Sequence, residues 1–214
     1  MGKIFGLDSP VVRFMTRVGE LMIFTVLWIL CCLPILTAGA SSAALFRMMF
    51  NMKEDRSTKV TDFFRAFRDN FKKATVLWLI LLAVAVALLV LFWLIALVES
   101  NLIRLVLMLV FSAMFFVTFI AAVYIFPLTA YFENTVAGTV RNALAMGLGH
   151  LRSSIPACAL LMLPLIAREI FYELFMSLLF LWTVLAPGAI AYGIVWILWP
   201  VFKKYIPEET KSGA

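Results

Sequence analysis

Two long stretches without a charged residue constrain the fold of this chain more than any other feature. Residues 74–98 are 25 consecutive uncharged residues, and residues 105–132 are another 28. A helix needs about 20 apolar residues to cross a bilayer core roughly 30 Å thick. The sequence therefore predicts that both stretches are transmembrane helices, joined by the short polar segment 99–104.

The composition excludes a soluble globular domain. Hydrophobic residues make up 64% of the chain, against about 45–50% in soluble domains. The net charge of +6 is explained by the basic residues that gather on cytoplasmic loops of membrane proteins. We therefore expect the lipid bilayer and its anionic lipids as partners. Because no nucleic-acid-binding motif is present, we expect no nucleic acid as a partner.

We predict an all-α fold, a polytopic transmembrane helix bundle of five to six membrane segments with two cytoplasmic interfacial amphipathic helices. Residues 1–214 are expected to form a single integral membrane domain. Its predicted parts are an amphipathic lead (1–20), a broken first hydrophobic segment (21–52), a cytoplasmic amphipathic helix (53–73), a helical hairpin (74–126), a cytoplasmic interfacial helix (127–152), the last two spans (153–205) and a polar tail (206–214).

The first hydrophobic segment has two interpretations. Pro34, Thr37, Gly39 and Ser41 interrupt it, because proline cannot donate the helical hydrogen bond and small residues allow close helix packing. In one interpretation a single span ends near Leu36. In the other the chain turns tightly and crosses back, which gives six segments and places both termini on one side. A second candidate break, or packing point, is Pro187-Gly188.

The basic residues predict the orientation. Lys53–Lys73 carries seven Lys or Arg and four Asp or Glu, and basic loops are cytoplasmic in membrane proteins. We therefore expect a multi-pass protein of the bacterial plasma membrane with a cytoplasmic C-terminus. Arg168, Glu169 and Glu173 form a candidate outer polar cluster, in which an outer-loop role competes with contact to a ligand.

The segment after Thr61 is the most patterned. Phe63, Phe67 and Phe71 are four residues apart and share one helical face, opposite a basic face. Such a helix rests in the lipid headgroup layer or docks a partner. The candidate docking or lipid-surface residues are Asp62, Phe63, Phe64, Arg65, Phe67, Arg68, Asn70, Phe71 and Lys72.

Enzymatic chemistry has no candidate residues. The chain has one histidine, and its three cysteines lack metal-ligand spacing. No known hydrolase or phosphate-binding motif is present. We therefore predict no catalytic residues, no cofactor and no metal site.

Three groups of residues carry a family resemblance: Leu33–Ser41, Asp62–Lys72, and Ala191-Tyr192 with Phe202–Tyr205. Together they resemble the YesL-like family of small integral membrane proteins, mainly of Gram-positive bacteria, whose biochemical activity is not established. The family is associated with carbohydrate ABC importers. The resemblance implies a non-enzymatic accessory or regulatory role in carbohydrate uptake, with ABC transporter subunits as partners. The alternative is a small independent transporter or channel, and a homo-oligomer stays open.

Overall fold

The computed structural model describes residues 10–206, and all regular secondary structure in that range is helical. This confirms the predicted all-α fold. The predicted features before Pro10 and after Ile206 lie outside the described residues. The elements are α1 (Pro10–Cys32), a 3₁₀ turn (Ile35–Thr37), α2 (Ala38–Lys53), α3 (Val60–Ala96), α4 (Asn101–Tyr131), α5 (Val136–Gly149), α6 (Leu151–Ile170), α7 (Tyr172–Ser177) and α8 (Leu179–Phe202).

Five of these helices, α1, α3, α4, α6 and α8, are long and apolar enough to cross a membrane. The chain is thus a multi-pass membrane protein. Helix α2 has 16 residues and is about 24 Å long, so it is shorter than a typical spanning helix.

Helices α1 and α2 form an antiparallel hairpin. Near its tip, the Thr37 hydroxyl donates to the carbonyl of Cys31 at 2.5 Å, and the Ser41 hydroxyl donates to the carbonyl of Trp28 at 2.9 Å. At the other end, the Arg17 guanidinium donates to the carbonyl of Met52 at 2.9 Å. Pro34 lies between the two helices in extended backbone. The chain therefore turns back as the six-segment alternative requires, with the short α2 as the returning element.

Helix α2 is the centre of the bundle and packs against α1, α3, α4 and α8. Its small residues allow these helices to come close. A Cβ atom added at Gly39 would lie 2.6 Å from the Cβ of Trp78 on α3, which no real pair of atoms tolerates. Ten of its residues are buried: Gly39, Ala40, Ser41, Ala43, Ala44, Leu45, Met48, Met49, Phe50 and Met52.

Helix α3 differs from the prediction of a separate amphipathic helix over 53–73. Lys53 ends α2, and one continuous helix runs from Val60 to Ala96. No proline or glycine interrupts this range, so the change from a polar to an apolar surface at Ala74 does not end the helix. The composition of the chain changes at Ala74, but the helical geometry of its backbone does not.

Helices α3 and α4 form the predicted hairpin. Along it the Trp78 and Phe126 rings are 6.3 Å apart, and the Phe92 and Phe111 rings are 5.7 Å apart. The Lys73 ammonium lies 3.4 Å from the carbonyl of Phe132, just past the end of α4. The residues of α3 that precede Lys73 therefore extend past the C-terminal end of α4.

The predicted interfacial helix over 127–152 is also divided differently. Helix α4 continues through Pro127 to Tyr131, and α5 begins after Thr135, whose hydroxyl accepts from the Gly138 amide at 3.1 Å. That side-chain cap fixes where the new helix begins. Within the predicted last two spans, the structure places α6 and α8 with the short α7 between them.

The close approach at Gly39 gives a stability prediction. Because an added methyl group overlaps Trp78, Gly39→Ala should lower the free energy of unfolding by about 1–3 kcal/mol, as overpacking does. Thermal unfolding of the detergent-purified protein, followed by loss of the monodisperse chromatographic peak, measures the change.

Gly19→Ala in α1 is the matched control, because a Cβ atom there meets nothing within 4 Å. It should leave the midpoint unchanged or raise it, since alanine favours a helix over glycine by about 1 kcal/mol. Equal midpoints for the two variants would contradict the packing role of Gly39.

Candidate functional site

Several chain connections meet at one end of the bundle, which we call the basal end. The Tyr131 hydroxyl at the end of α4 donates to a Glu54 carboxylate oxygen at 2.9 Å. The His150 Nε2 atom lies 3.1 Å from the Tyr205 hydroxyl. These contacts bring the segments after α2, α4, α5 and α8 together.

The basal end carries most of the charge. Within residues 10–206, the segments at this end and Arg47 contain fourteen Lys or Arg and six Asp or Glu. The opposite ends of the helices contain two basic and three acidic residues. Some basal charges are paired: Arg56 contacts Glu54 at 3.1 Å, and Arg17 forms ion pairs with Asp55 and Glu20.

An aromatic cluster closes the bundle interior at the basal end. The Phe50 ring lies 4.7 Å from that of Tyr131 and 5.6 Å from that of Phe202, and Phe132 and Trp199 complete the cluster. The Arg47 guanidinium donates to the carbonyl of Ala130 at 3.2 Å beside it. Sequence reasoning missed the cluster, because three separate elements supply its members. The helical spacing of Trp199 and Phe202 was the available signal.

The basic-aromatic segment of α3 has an inner and an outer face. Phe63 is fully buried and its ring stacks on Phe24 of α1 at 6.3 Å, while Ala66 is 8% exposed. The predicted phenylalanine face is thus partly a core face, because α1 and α2 cover it. Asp62 accepts from the Lys59 amide at 3.2 Å, and the Asn70 side chain donates to the Ala66 carbonyl at 3.0 Å; both bonds are local to the helix.

The outer face of this segment is exposed, and we call it the α3 surface. Phe64 is 48% exposed and Phe71 38% exposed, and the Arg65 side chain has only a long 4.0 Å contact to Asp62. Phe67, which contacts Phe71 at 5.6 Å between rings, is partly buried beneath it. The α3 surface consists of Phe64, Arg65, Arg68, Phe71 and Lys72.

The two predicted breaks behave differently. Pro34, Thr37, Gly39 and Ser41 form the α1–α2 turn described above. Pro187 does not interrupt α8, since a membrane helix tolerates proline where its neighbours satisfy the freed backbone. Gly188 is a packing point, because a Cβ atom there would lie 3.0 Å from the Leu21 carbonyl oxygen of α1. Pro187-Gly188 therefore does not break α8, and Gly188 lies at a close contact between α8 and α1.

A cavity of about 840 Å³ lies between the helices, and every described helix except α5 contributes to its wall. Its innermost wall contains Leu45 of α2, Leu88 of α3 and Ile194 of α8, which are at most 7% exposed. The polar side chains on the wall are three hydroxyls and three indoles: Ser42, Thr118, Thr183, Trp28, Trp78 and Trp182. Such volumes are typical of ligand pockets.

The candidate outer polar cluster does not line this cavity. Arg168 and Glu169 are in contact at 3.9 Å, and their side chains are 56% and 77% exposed. Glu173 lies on α7, beyond the end of α6. The three residues are at the ends of helices opposite the basal end.

Within the part of the chain that the structure describes, no group of three His, Cys, Asp or Glu side chains is placed to hold a metal ion. Cys31, Cys32 and Cys158 are free thiols.

Residues 21–92 match a protein family described as "Protein of unknown function, DUF624". The matched range begins within α1, includes the whole of α2 and ends within α3. It therefore covers the turn between α1 and α2, the α3 surface and part of the cavity wall. Comparison with curated proteins and with solved structures gave no significant match.

The bond between Tyr131 and Glu54 gives a second stability prediction. Tyr131→Phe keeps the ring in the aromatic cluster but removes the hydroxyl, so Glu54 loses a partner where its side chain is only 15% exposed. We expect a loss of about 1–3 kcal/mol in the free energy of unfolding, measured by thermal unfolding in detergent.

Tyr172→Phe provides the control, since Tyr172 is 53% exposed and lies on α7, away from the basal end. Its unfolding midpoint should equal that of the wild type. If Tyr131→Phe also unfolds at the wild-type temperature, the basal hydrogen bond does not stabilise the bundle.

Proposed function

We propose that this protein is a non-enzymatic accessory or regulatory component of a carbohydrate importer in a bacterial plasma membrane, and that it docks through the α3 surface. The single observation that carries the proposal is the exposure of that surface on a helix whose other face is buried in the core. The resemblance to the YesL-like family supplies the class of partner, and the match at residues 21–92 includes the surface itself.

The α3 surface has the chemistry of a docking site. Arg65, Arg68 and Lys72 bring three positive charges to one face, and Phe64 and Phe71 place exposed aromatic rings among them. Arginine and aromatic residues are enriched where proteins bind one another. Because Phe63 and Ala66 hold the inner face in the bundle, the outer face is presented on a fixed element rather than on a loose segment.

The cavity favours an accessory role over independent sugar transport. Sites that recognise sugars need convergent hydrogen-bonding groups, and the cavity wall offers few. The Thr183 hydroxyl already donates to the Leu179 carbonyl at 2.8 Å, and Ser42 accepts from the Trp28 indole at 3.2 Å. A polar solute would lose its hydration there without replacement. Liposome flux assays with the purified protein test the transporter alternative directly.

The charge distribution supports a cytoplasmic basal end. Membrane proteins keep Lys and Arg on short cytoplasmic loops, and nearly all such residues in the described range are basal. The α3 surface would then face the side on which the nucleotide-binding subunits of an importer lie. It would also face anionic lipid, where each basic residue adds about 1 kcal/mol of attraction.

Neutralising the α3 surface should abolish partner recovery. Arg65→Gln combined with Arg68→Gln removes two charges without shortening the side chains much. In affinity purification with mild detergent from cells grown on several carbohydrates, the wild type should recover importer subunits and this variant should not.

Arg141→Gln combined with Arg152→Gln removes the same charge from exposed positions on α5 and α6 at the same end and should retain the partner. Absence of any transporter subunit from the wild-type purification would refute the proposal. Equal loss in both double variants would mean that overall basal charge, and not the α3 surface, holds the partner.

The orientation has its own test in a background with Cys31, Cys32 and Cys158 replaced by alanine. A membrane-impermeant maleimide should label Glu99→Cys on intact cells, because residue 99 lies in the connection opposite the basal end. Arg68→Cys should react only after the cells are permeabilised. The reverse pattern would place the α3 surface outside the cell.

A further inference from the structure

We propose that the central cavity binds an acyl chain of a bilayer phospholipid. Five of the helices that line the cavity are long and apolar enough to span the membrane, and the medium around those helices is hydrocarbon. Protein interiors have few voids larger than a water molecule, so a space of about 840 Å³ is filled in the membrane. The inference goes beyond the docking role and does not depend on it.

The chemistry of the wall selects hydrocarbon. Carbon surfaces of Leu, Phe, Ile, Ala and Pro side chains dominate it. The Ser42 and Thr183 hydroxyls already have hydrogen-bond partners in the protein. A ligand in the cavity therefore does not need polar groups to satisfy them. A chain of methylene groups matches such a wall, whereas a sugar or an ion does not.

The volume selects a chain rather than a second helix. An α-helix with its side chains is about 10–12 Å across, so the cavity would hold only about two turns. A flexible single chain fits a space of this size between seven helices. Its contacts with many elements at once would also hold it more firmly than lipid at the outer surface of the bundle.

The cavity has both a closed end and an entrance. Leu45 and Ile194 are at most 3% exposed at its innermost wall, with the basal aromatic cluster beyond them. In contrast, Leu89 of α3 and Phe115 of α4 line the same cavity and are 62% and 52% exposed. A lipid in the surrounding bilayer can therefore insert one chain while its headgroup stays outside.

Photolabelling of the full-length protein tests the proposal. The chain is reconstituted in phosphatidylethanolamine and phosphatidylglycerol vesicles with a trace of phosphatidylglycerol that carries a diazirine near the end of one acyl chain. After illumination, labelled residues are mapped by mass spectrometry. We expect label on the buried wall around Leu45, Leu88 and Ile194, which ordinary surface lipid does not reach.

Tryptophan at two wall positions should displace the chain. Ala85→Trp and Ala122→Trp each insert a ring into the cavity and should lower labelling of the buried wall by about tenfold, which is about 1.4 kcal/mol of affinity. Ala87→Trp and Ala113→Trp are the matched controls, since these alanines lie on the same two helices, are exposed and do not line the cavity. They should label as the wild type does.

Two results would overturn the inference. Label confined to outward residues such as Trp93 and Leu102 in the wild type would mean surface lipid only. Equal wall labelling in wall and control variants would mean that the probe does not occupy the cavity. Neither of these results depends on importer recovery, so the two proposals fail separately.

Discussion

The structure depends on burying one short helix at the centre of a membrane bundle. Helix α2 contacts four other helices, and it can do so because its first half is built from Gly39, Ala40, Ser41, Ala43 and Ala44. Association of helices in lipid gains nothing from the hydrophobic effect and relies on close van der Waals packing. Small residues supply that packing near the hairpin tip, and Met48, Met49 and Phe50 fill the wider space towards the basal end.

This central helix also produces the two surfaces on which function is proposed. By covering Phe63 and Ala66, α1 and α2 fix the first turns of α3 and leave their basic face outward. Because α2 begins only at Ala38, no central helix fills the space farther along α3, α4 and α8, and the cavity extends into that space from the side of α2. A longer α2 would fill that space with side chains.

The membrane class and most helix positions were predictable, because long uncharged runs such as Ala74–Val98 have few alternatives in water or lipid. Boundaries inside continuous helices were not. Charge ends at Lys73 and proline occurs at Pro127 and Pro187, but α3, α4 and α8 continue through these points, since backbone geometry is set by neighbours as well as by composition. The α3 surface was predictable only in part. The helical periodicity of its residues is visible in the sequence, but the sequence does not show which face of the helix α1 covers.

The cavity was beyond sequence reasoning for a further physical reason. Residues facing a cavity, a lipid or a packed helix can all be Leu, Phe or Ala, so hydropathy does not distinguish them. Leu88 and Leu89 are adjacent on one cavity wall, yet one is 7% and the other 62% exposed. Only the arrangement of the surrounding helices separates them. The apolar cavity and the basic α3 surface can thus coexist in one small chain, because they are built from opposite ends of α3.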